Sequence, residues 1–164
     1  MTISSIYHSF LGDIILYCKD NALVGLKFID QAKPSFKFVD DIIIDDEDLV
    51  IKKVKNYLNK YFSKQETNID FEVNPIGSEF QKLVWSEVSC IPYGKTVSYS
   101  FIANELKNKL KVNSVSIRKV AQAISQNKIL IIIPCHRVIG KDGSLKGYSG
   151  GLNRKASLLN LEKN

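Results

Sequence analysis

The sequence is short of the residues from which metal sites and disulfide frameworks are built. Its 164 residues include three cysteines, Cys18, Cys90 and Cys135, and two histidines, His8 and His136. An odd, scattered set of cysteines with no close pair argues against a disulfide framework and fits free thiols in a reducing compartment, with Cys18 and Cys90 expected in the core. A closed zinc site takes about four ligands. With no C-x-x-C pair and two histidines none can be assembled from recognisable spacing, so no metal is expected. No apolar run approaches the ~20 residues that span a bilayer, and the N-terminus, MTISSIYHSF, lacks the basic stretch and apolar block of a secretory signal. The expectation is a cytoplasmic protein with no membrane partner. A hydrophobic content of 45% is globular rather than disordered composition, and the length allows one substantial core or two small ones.

Charge is unevenly placed. Residues 1–74 hold 9 Lys and Arg against 12 Asp and Glu, a net of −3, whereas residues 75–164 hold 14 against 5, a net of +9. A surplus of that size over 90 residues is the footprint of a polyanion binder, because each Lys or Arg set against a phosphate releases condensed counterions. A solvated basic surface that keeps the protein soluble gives the same numbers, and charge alone does not separate the two.

Hydrophobic periodicity divides the chain in the same place. DIILYC, the turn formers Lys19, Asp20 and Asn21, and ALVGLKFID read as a hairpin. The acidic run DDIIIDDED, 40–48, ends just before a helical spacing of Ile51, Val54, Leu58 and Tyr61, so its acids fall where a helix N-terminus favours negative charge. NPIGS, 74–78, is the best linker, which sets domains of 1–74 and 75–164. Ser78 and Gln81 form a capping box opening a helix with Phe80, Val84 and Val88 on one face; Pro92 and Gly94 end it. Ser98 caps a second helix and Ser116 a third, in which Ile117, Val120, Ala121 and Ile124 are expected to be buried. That arrangement turns Arg118, Lys119, Gln122 and Ser125 outward, in a helix-turn-helix-like pattern. ILIII, 129–133, is strand-like, Asp142-Gly143 signals a hairpin or wing, and a last helix runs from about Arg154 to Glu162 with Leu158, Leu159 or Leu161 inward.

Between these elements lies IIIPCHRVIG, 131–140, with a thiol and an imidazole side by side. A cysteine is a nucleophile only as thiolate, and an ordinary one is protonated at neutral pH. Adjacency does not activate it. Neighbours in extended backbone point to opposite faces, so a turn or a water has to connect them and a carboxylate has to orient the imidazole. A buried cysteine beside a histidine that satisfies its own hydrogen bonds is the plainer reading of either residue alone. A cysteine hydrolase is the weaker option.

IPCHRVIG, preceded by RKVAQAISQNK and followed by DGSLKGYSGGLNRKASLLNLE, resembles the O6-alkylguanine-DNA alkyltransferase (methylated-DNA-protein-cysteine methyltransferase) family over residues 78–162. The resemblance implies an α+β fold. A small ribonuclease H-like N-terminal subdomain with antiparallel strands would precede a mainly helical C-terminal subdomain with a winged helix-turn-helix-like motif. It implies that Cys135 accepts the alkyl group, that His136 takes the thiol proton through a water, and that Glu162 orients that histidine. Tyr99 would donate to the departing base. Arg118 would fill the gap left by the extruded nucleotide, with Lys119, Gln122 and Ser125 on the same DNA-facing helix. Asn127 would tie that helix to the cysteine turn, and Val138, Tyr148, Ser149 and Gly150 would line or support the alkyl pocket. Two features depart from the family pattern: a longer stretch between Tyr99 and Arg118, and Lys119 and Gln122 where small residues are common.

The resemblance further implies double-stranded DNA containing O6-alkylguanine as partner, bound in the minor groove with the base flipped out, a monomer, and no cofactor, since the product thioether is stable. A non-catalytic binder of alkylated DNA is the alternative, and the presence of Cys135 speaks against it. A plain helix-turn-helix regulator is a third reading, disfavoured by a single recognition helix without an evident dimer face.

Overall fold

The structure is a computed structural model that describes residues 1–31, 38–65 and 68–163. The chain forms two compact units, Met1–Ile76 and Gly77–Asn164. In the first, β1 (Thr2–Ser9), β2 (Gly12–Lys19) and β3 (Ala22–Phe28) make an antiparallel meander. The short strands β4 (Ile42–Ile44) and β5 (Glu72–Val73) join its two edges in parallel, giving the order β4-β1-β2-β3-β5. The β2–β3 turn is two residues long, and both Asp20 (φ 50°) and Asn21 (φ 61°) sit in the left-handed region that such turns require and that Asp and Asn tolerate. Helix α1 (Leu49–Phe62) packs on the sheet, burying Val50, Ile51, Val54, Leu58 and Tyr61.

Neither β1 nor β4 is evident from hydrophobic alternation, for a physical reason. β1 buries Thr2, Ser4 and Ser5 rather than aliphatic side chains, and the acidic run supplies partners for the hydroxyls of Thr2 and Ser5. The Thr2 hydroxyl donates to Asp40 at 3.0 Å, and the Ser5 hydroxyl bonds the Asp46 carboxylate. Asp48 caps α1 by accepting from the Ile51 amide at 3.0 Å. The acids are thus structural, both as a helix start and as the satisfaction of buried hydroxyls.

In the second unit α2 (Glu79–Ser89), α3 (Tyr99–Leu110) and α4 (Ile117–Ser125) pack against one another. All three carry the expected caps: Ser78 with Gln81 as a reciprocal box, Ser98 to the Phe101 amide, and Ser116 to the Lys119 amide. Trp85 on α2 is the largest fully buried side chain and donates its indole N–H to the Ala123 carbonyl of α4 at 2.8 Å. Gly77 leaves room for it, since a Cβ there would lie 2.6 Å from the indole ring. The turn between α3 and α4, residues 111–116, opens with Lys111 in the left-handed conformation (φ 54°). Beyond α4 come a 3-10 turn (Cys135–Arg137), the short β7 (Val138–Ile139), which pairs in parallel with β6 (Val97–Ser98), and α5 (Leu152–Glu162).

Four expectations are corrected. The 129–133 run is not a strand but a buried succession of turns with Ile131 at φ 70°, because its polar backbone is taken up by Asn127 and by local bonds such as Ile133 N–H to Ile129 C=O at 3.0 Å. The Asp142-Gly143 turn exists, closed by Gly140 and Ser144, but β7 pairs with β6 and not across it. On α4 the buried residues are Val120, Ala123 and Ile124; Ile117 at the first turn is 50% exposed and Ala121 half-buried. Cys90 is exposed at the C-terminus of α2, whereas Cys18 lies in the core.

Candidate active site

The peptide Ile133-Pro134-Cys135 delivers the thiol into the interior of the second unit. The Cys135 amide bonds back to the Ile133 carbonyl at 2.8 Å, and the chain then enters one 3-10 turn. About 120° of rotation per residue replaces the alternation of an extended strand, so the turn gives Cys135, His136 and Arg137 three different directions, and all three are buried.

Asn127, the residue that follows the α4 cap, holds the Cys135 side. Its amide NH2 donates to the Ile133 carbonyl at 2.9 Å and to the Cys135 sulfur at 3.1 Å, while its oxygen accepts from the Ile129 amide at 3.0 Å. The side chain thus fixes both the loop and the nucleophile. Cys135 is 4% exposed, and burial pushes its thiol up to about 11, opposed by the Asn127 hydrogen bond, the charge of Lys155 and its own backbone amide.

His136 points toward α5. Its Nε2 lies 2.5 Å from Glu162 Oε2; with Nε2–H donating to the carboxylate, Nδ1 becomes the basic nitrogen. The other Glu162 oxygen accepts from Arg137 Nε at 2.7 Å and from the Gly94 amide at 3.1 Å. Gly94 is held at φ 76°, and a Cβ there would stand 3.2 Å from the Glu162 carbonyl oxygen, so both the turn and the close approach call for glycine. Arg137 also donates to the Ile91 carbonyl at 2.7 Å. Desolvation holds the imidazole below its ordinary pKa against the raising effect of Glu162, so His136 is neutral at pH 7 and competent to accept a proton.

The remaining walls come from α3 and the loop before α5. Tyr99 opens α3, and its hydroxyl donates to the Lys146 carbonyl at 3.0 Å. Tyr148 is buried edge-on to His136, with ring centroids 6.4 Å apart, and its hydroxyl has no hydrogen-bond partner among the described residues. Ser149 is half-buried, Gly150 buried with its carbonyl accepting from Arg154 at 3.2 Å, and Val138 fully buried. The structure therefore brings Cys135, His136, Glu162, Asn127 and Tyr148 around one centre. Arg118, Lys119, Gln122 and Ser125 are all exposed on α4, Arg118 at its opposite end from Asn127. Among the described residues there is no cluster of side chains fit for a metal. Arg137, Gly94 and Lys155 also belong to the site although sequence reasoning gave them no part. Arg137 is adjacent to His136, and a buried carboxylate requires a cation, which was the signal available.

Sequence models of two domains cover almost the whole chain. The 6-O-methylguanine DNA methyltransferase ribonuclease-like domain matches residues 3–75, and the DNA binding domain of the same name matches residues 79–164.

The chain belongs to the 6-O-methylguanine DNA methyltransferase family.

Among curated members of that family, the inducible methylated-DNA–protein-cysteine methyltransferase of Bacillus subtilis is 40% identical over 155 residues, covering 87% of this chain and 82% of its own. The Methanosarcina acetivorans methylated-DNA–protein-cysteine methyltransferase is 37% identical and covers 96% of each. The crystal structure of the Mycobacterium tuberculosis O6-methylguanine methyltransferase matches with a TM-score of 0.83 at 35% identity, covering 99% of this chain and 93% of that one. A structure of Mycobacterium tuberculosis OGT in complex with DNA matches with a TM-score of 0.82 at 34% identity, covering 99% and 92%. Among the described residues of this methyltransferase-family chain, the first unit is a mixed sheet with helix α1 and the second is mainly helical.

Two of the buried titratable groups, His136 and Cys135, bound a pH window for stability. His136 is below its unfolded value of 6.5, so the unfolded chain binds the extra proton on acidification and stability falls below about pH 6.5. Cys135 is above its unfolded value of 9.0, so the folded state holds the extra proton between 9 and about 11 and stability falls as pH rises through that range. Melting temperature against pH is expected to plateau between these limits, and Cys135→Ala should remove part of the alkaline loss.

Proposed function

We propose that this protein repairs DNA by moving a methyl or other small alkyl group from O6 of guanine in duplex DNA to the sulfur of Cys135, once per molecule. The observation that carries the reading is the buried thiol fixed by Asn127, with the neutral imidazole of His136 beside it in sequence and held by Glu162 and Arg137. In the step itself the thiol proton passes to His136. A sulfur–carbon bond forms as the carbon–O6 bond breaks, and the electron pair stays on the purine. Tyr99 supplies a hydrogen bond to the leaving base, and a proton returns to it, so the products are a thioether and ordinary guanine. No cofactor enters.

Tyr99 donates to the Lys146 carbonyl in this structure, so on this reading its hydroxyl exchanges that carbonyl for the base. The lesion reaches a sulfur that is 4% exposed only after leaving the helix stack. Arg118, exposed on the first turn of α4, would occupy the gap on this reading, and the surplus of +9 over residues 75–164 supports phosphate contacts with strong salt dependence. The same reading takes the protein to act as a monomer in the cytoplasm, where its thiols stay reduced, and assigns residues 1–74 a structural part. No helix among the described residues is long and apolar enough to cross a membrane.

The test is stoichiometric. With excess duplex carrying O6-methylguanine, repair should stop at one methyl group per protein molecule, and Cys135→Ala should bind the duplex yet repair none. Continued turnover, or repair by the alanine variant, overturns the assignment. Arg118→Ala should retain the reaction of Cys135 with the free modified base but lose about 10²-fold on duplex, the equivalent of a few kcal/mol of flipping cost. A duplex rate unchanged from wild type would contradict its role.

A further inference from the structure

Lys155 is a charged side chain that the transfer chemistry above leaves unused, and it is 1% exposed. It projects from the first turn of α5, and its ammonium donates to the Val138 carbonyl at 2.6 Å and to the Lys146 carbonyl at 2.7 Å. Among the described residues no carboxylate pairs with it. Buried lysines are rare and costly unless an opposite charge or a function retains them. The second carbonyl is the one that accepts from the Tyr99 hydroxyl, and the ammonium also lies 5.8 Å from the centroid of the Tyr99 ring. One cation therefore fastens β7, the loop before Tyr148, and Tyr99.

The electrostatic balance singles out the same residue. Glu162 and Arg137 cancel one another, His136 is neutral, and the charged residue that α2 buries, Glu87, is paired with Lys109. Asn127 from the end of α4 donates to the sulfur, and the ionisable groups that feel its charge include Tyr99 from α3, Tyr148 from the loop and Lys155 from α5. Of these only Lys155 bears a charge that favours an anion on sulfur, and it appears among the influences that draw the Cys135 thiol down against burial.

We propose that Lys155 is a positioning residue of the transfer site: its buried ammonium clamps the Val138 and Lys146 carbonyls around Tyr99 and supplies the uncompensated positive charge against which the Cys135 thiolate forms. The inference rests on Cys135 being the acceptor. Its predicted signature is a property of the thiol, readable without DNA.

The experiment measures the pH dependence of Cys135 alkylation by iodoacetamide, followed on the tryptic peptide 129–137, in Lys155→Met, Lys155→Gln and Lys155→Arg. The two neutral variants should move the midpoint upward by about one pH unit or more, a tenfold loss of thiolate at fixed pH. The arginine variant should restore the midpoint. A role in packing alone would leave the midpoint of the folded neutral variants at the wild-type value, and that result overturns the proposal. Should the neutral variants not fold, the wild-type protein gives the answer through reciprocity. Capping Cys135 with iodoacetamide removes the anion, so the Lys155 ammonium, followed by NMR, should titrate at lower pH in the capped protein. An identical titration in both forms overturns the proposal. Failure of methyl transfer from a lesion-bearing duplex would instead count against the acceptor reading and leaves these titrations interpretable.

Discussion

Glu162→Gln slows methyl transfer to Cys135 by about 10²- to 10⁴-fold in single-turnover assays, the range of a lost proton-transfer partner. The amide can still accept from the Arg137 guanidinium and the Gly94 amide, so the geometry around Oε1 is conserved. What is lost is the negative charge on Oε2, which sets the His136 tautomer through a 2.5 Å contact and stabilises the imidazolium that forms when the thiol proton arrives. Glu162→Ala would confuse the result, because it strips buried Arg137 and the Gly94 amide of their acceptor as well as of the charge, a change that costs about 3–5 kcal/mol of stability, whereas the glutamine keeps the acceptor. The glutamine variant should therefore remain folded and bind duplex DNA with wild-type affinity while reacting slowly. A rate within threefold of wild type would remove Glu162 from the proton path.

Asn127→Ala destabilises the protein by about 2–5 kcal/mol in urea titration and makes the Cys135 thiol less reactive at a given pH. The stability loss follows from at least two buried backbone groups, the Ile129 amide and the Ile133 carbonyl, losing their side-chain partner, at about 1–3 kcal/mol each. The reactivity loss follows from removal of the N–H that donates to sulfur at 3.1 Å and favours its anion. The two effects have separate readouts, the denaturation midpoint and the iodoacetamide rate. A loss under about 1 kcal/mol with an unchanged rate would show that the cysteine loop holds itself.

Much of the second unit was legible because its signals are local. Caps at Ser78, Ser98 and Ser116 start helices within reach of their own amides, and all three are found. The cysteine loop misled for an equally physical reason: ILIII has strand composition, but Asn127, just before the run, takes over backbone bonds of Ile129 and Ile133 and makes a turn, with Ile131 in a conformation that isoleucine alone would avoid. β1 was missed because serines and threonine take its buried positions, with Thr2 and Ser5 bonded to Asp40 and Asp46, a pairing no window of sequence displays. Composition could place neither Arg137 nor Lys155, since a buried cation is read by default as an exposed one. The chemistry of Cys135, His136 and Glu162 entered through resemblance, and the structure adds the hydrogen bonds that join two of the three directly.

The most direct test maps the methyl group itself. Wild-type protein is incubated with duplex DNA containing O6-methylguanine, digested with trypsin and weighed peptide by peptide. Peptide 129–137, which holds Cys135, should gain one methyl group while the peptides containing Cys18 and Cys90 gain none and the lesion reverts to guanine. A methyl group on either of the other cysteines, or an unmodified Cys135 after the lesion has been repaired, would contradict the account.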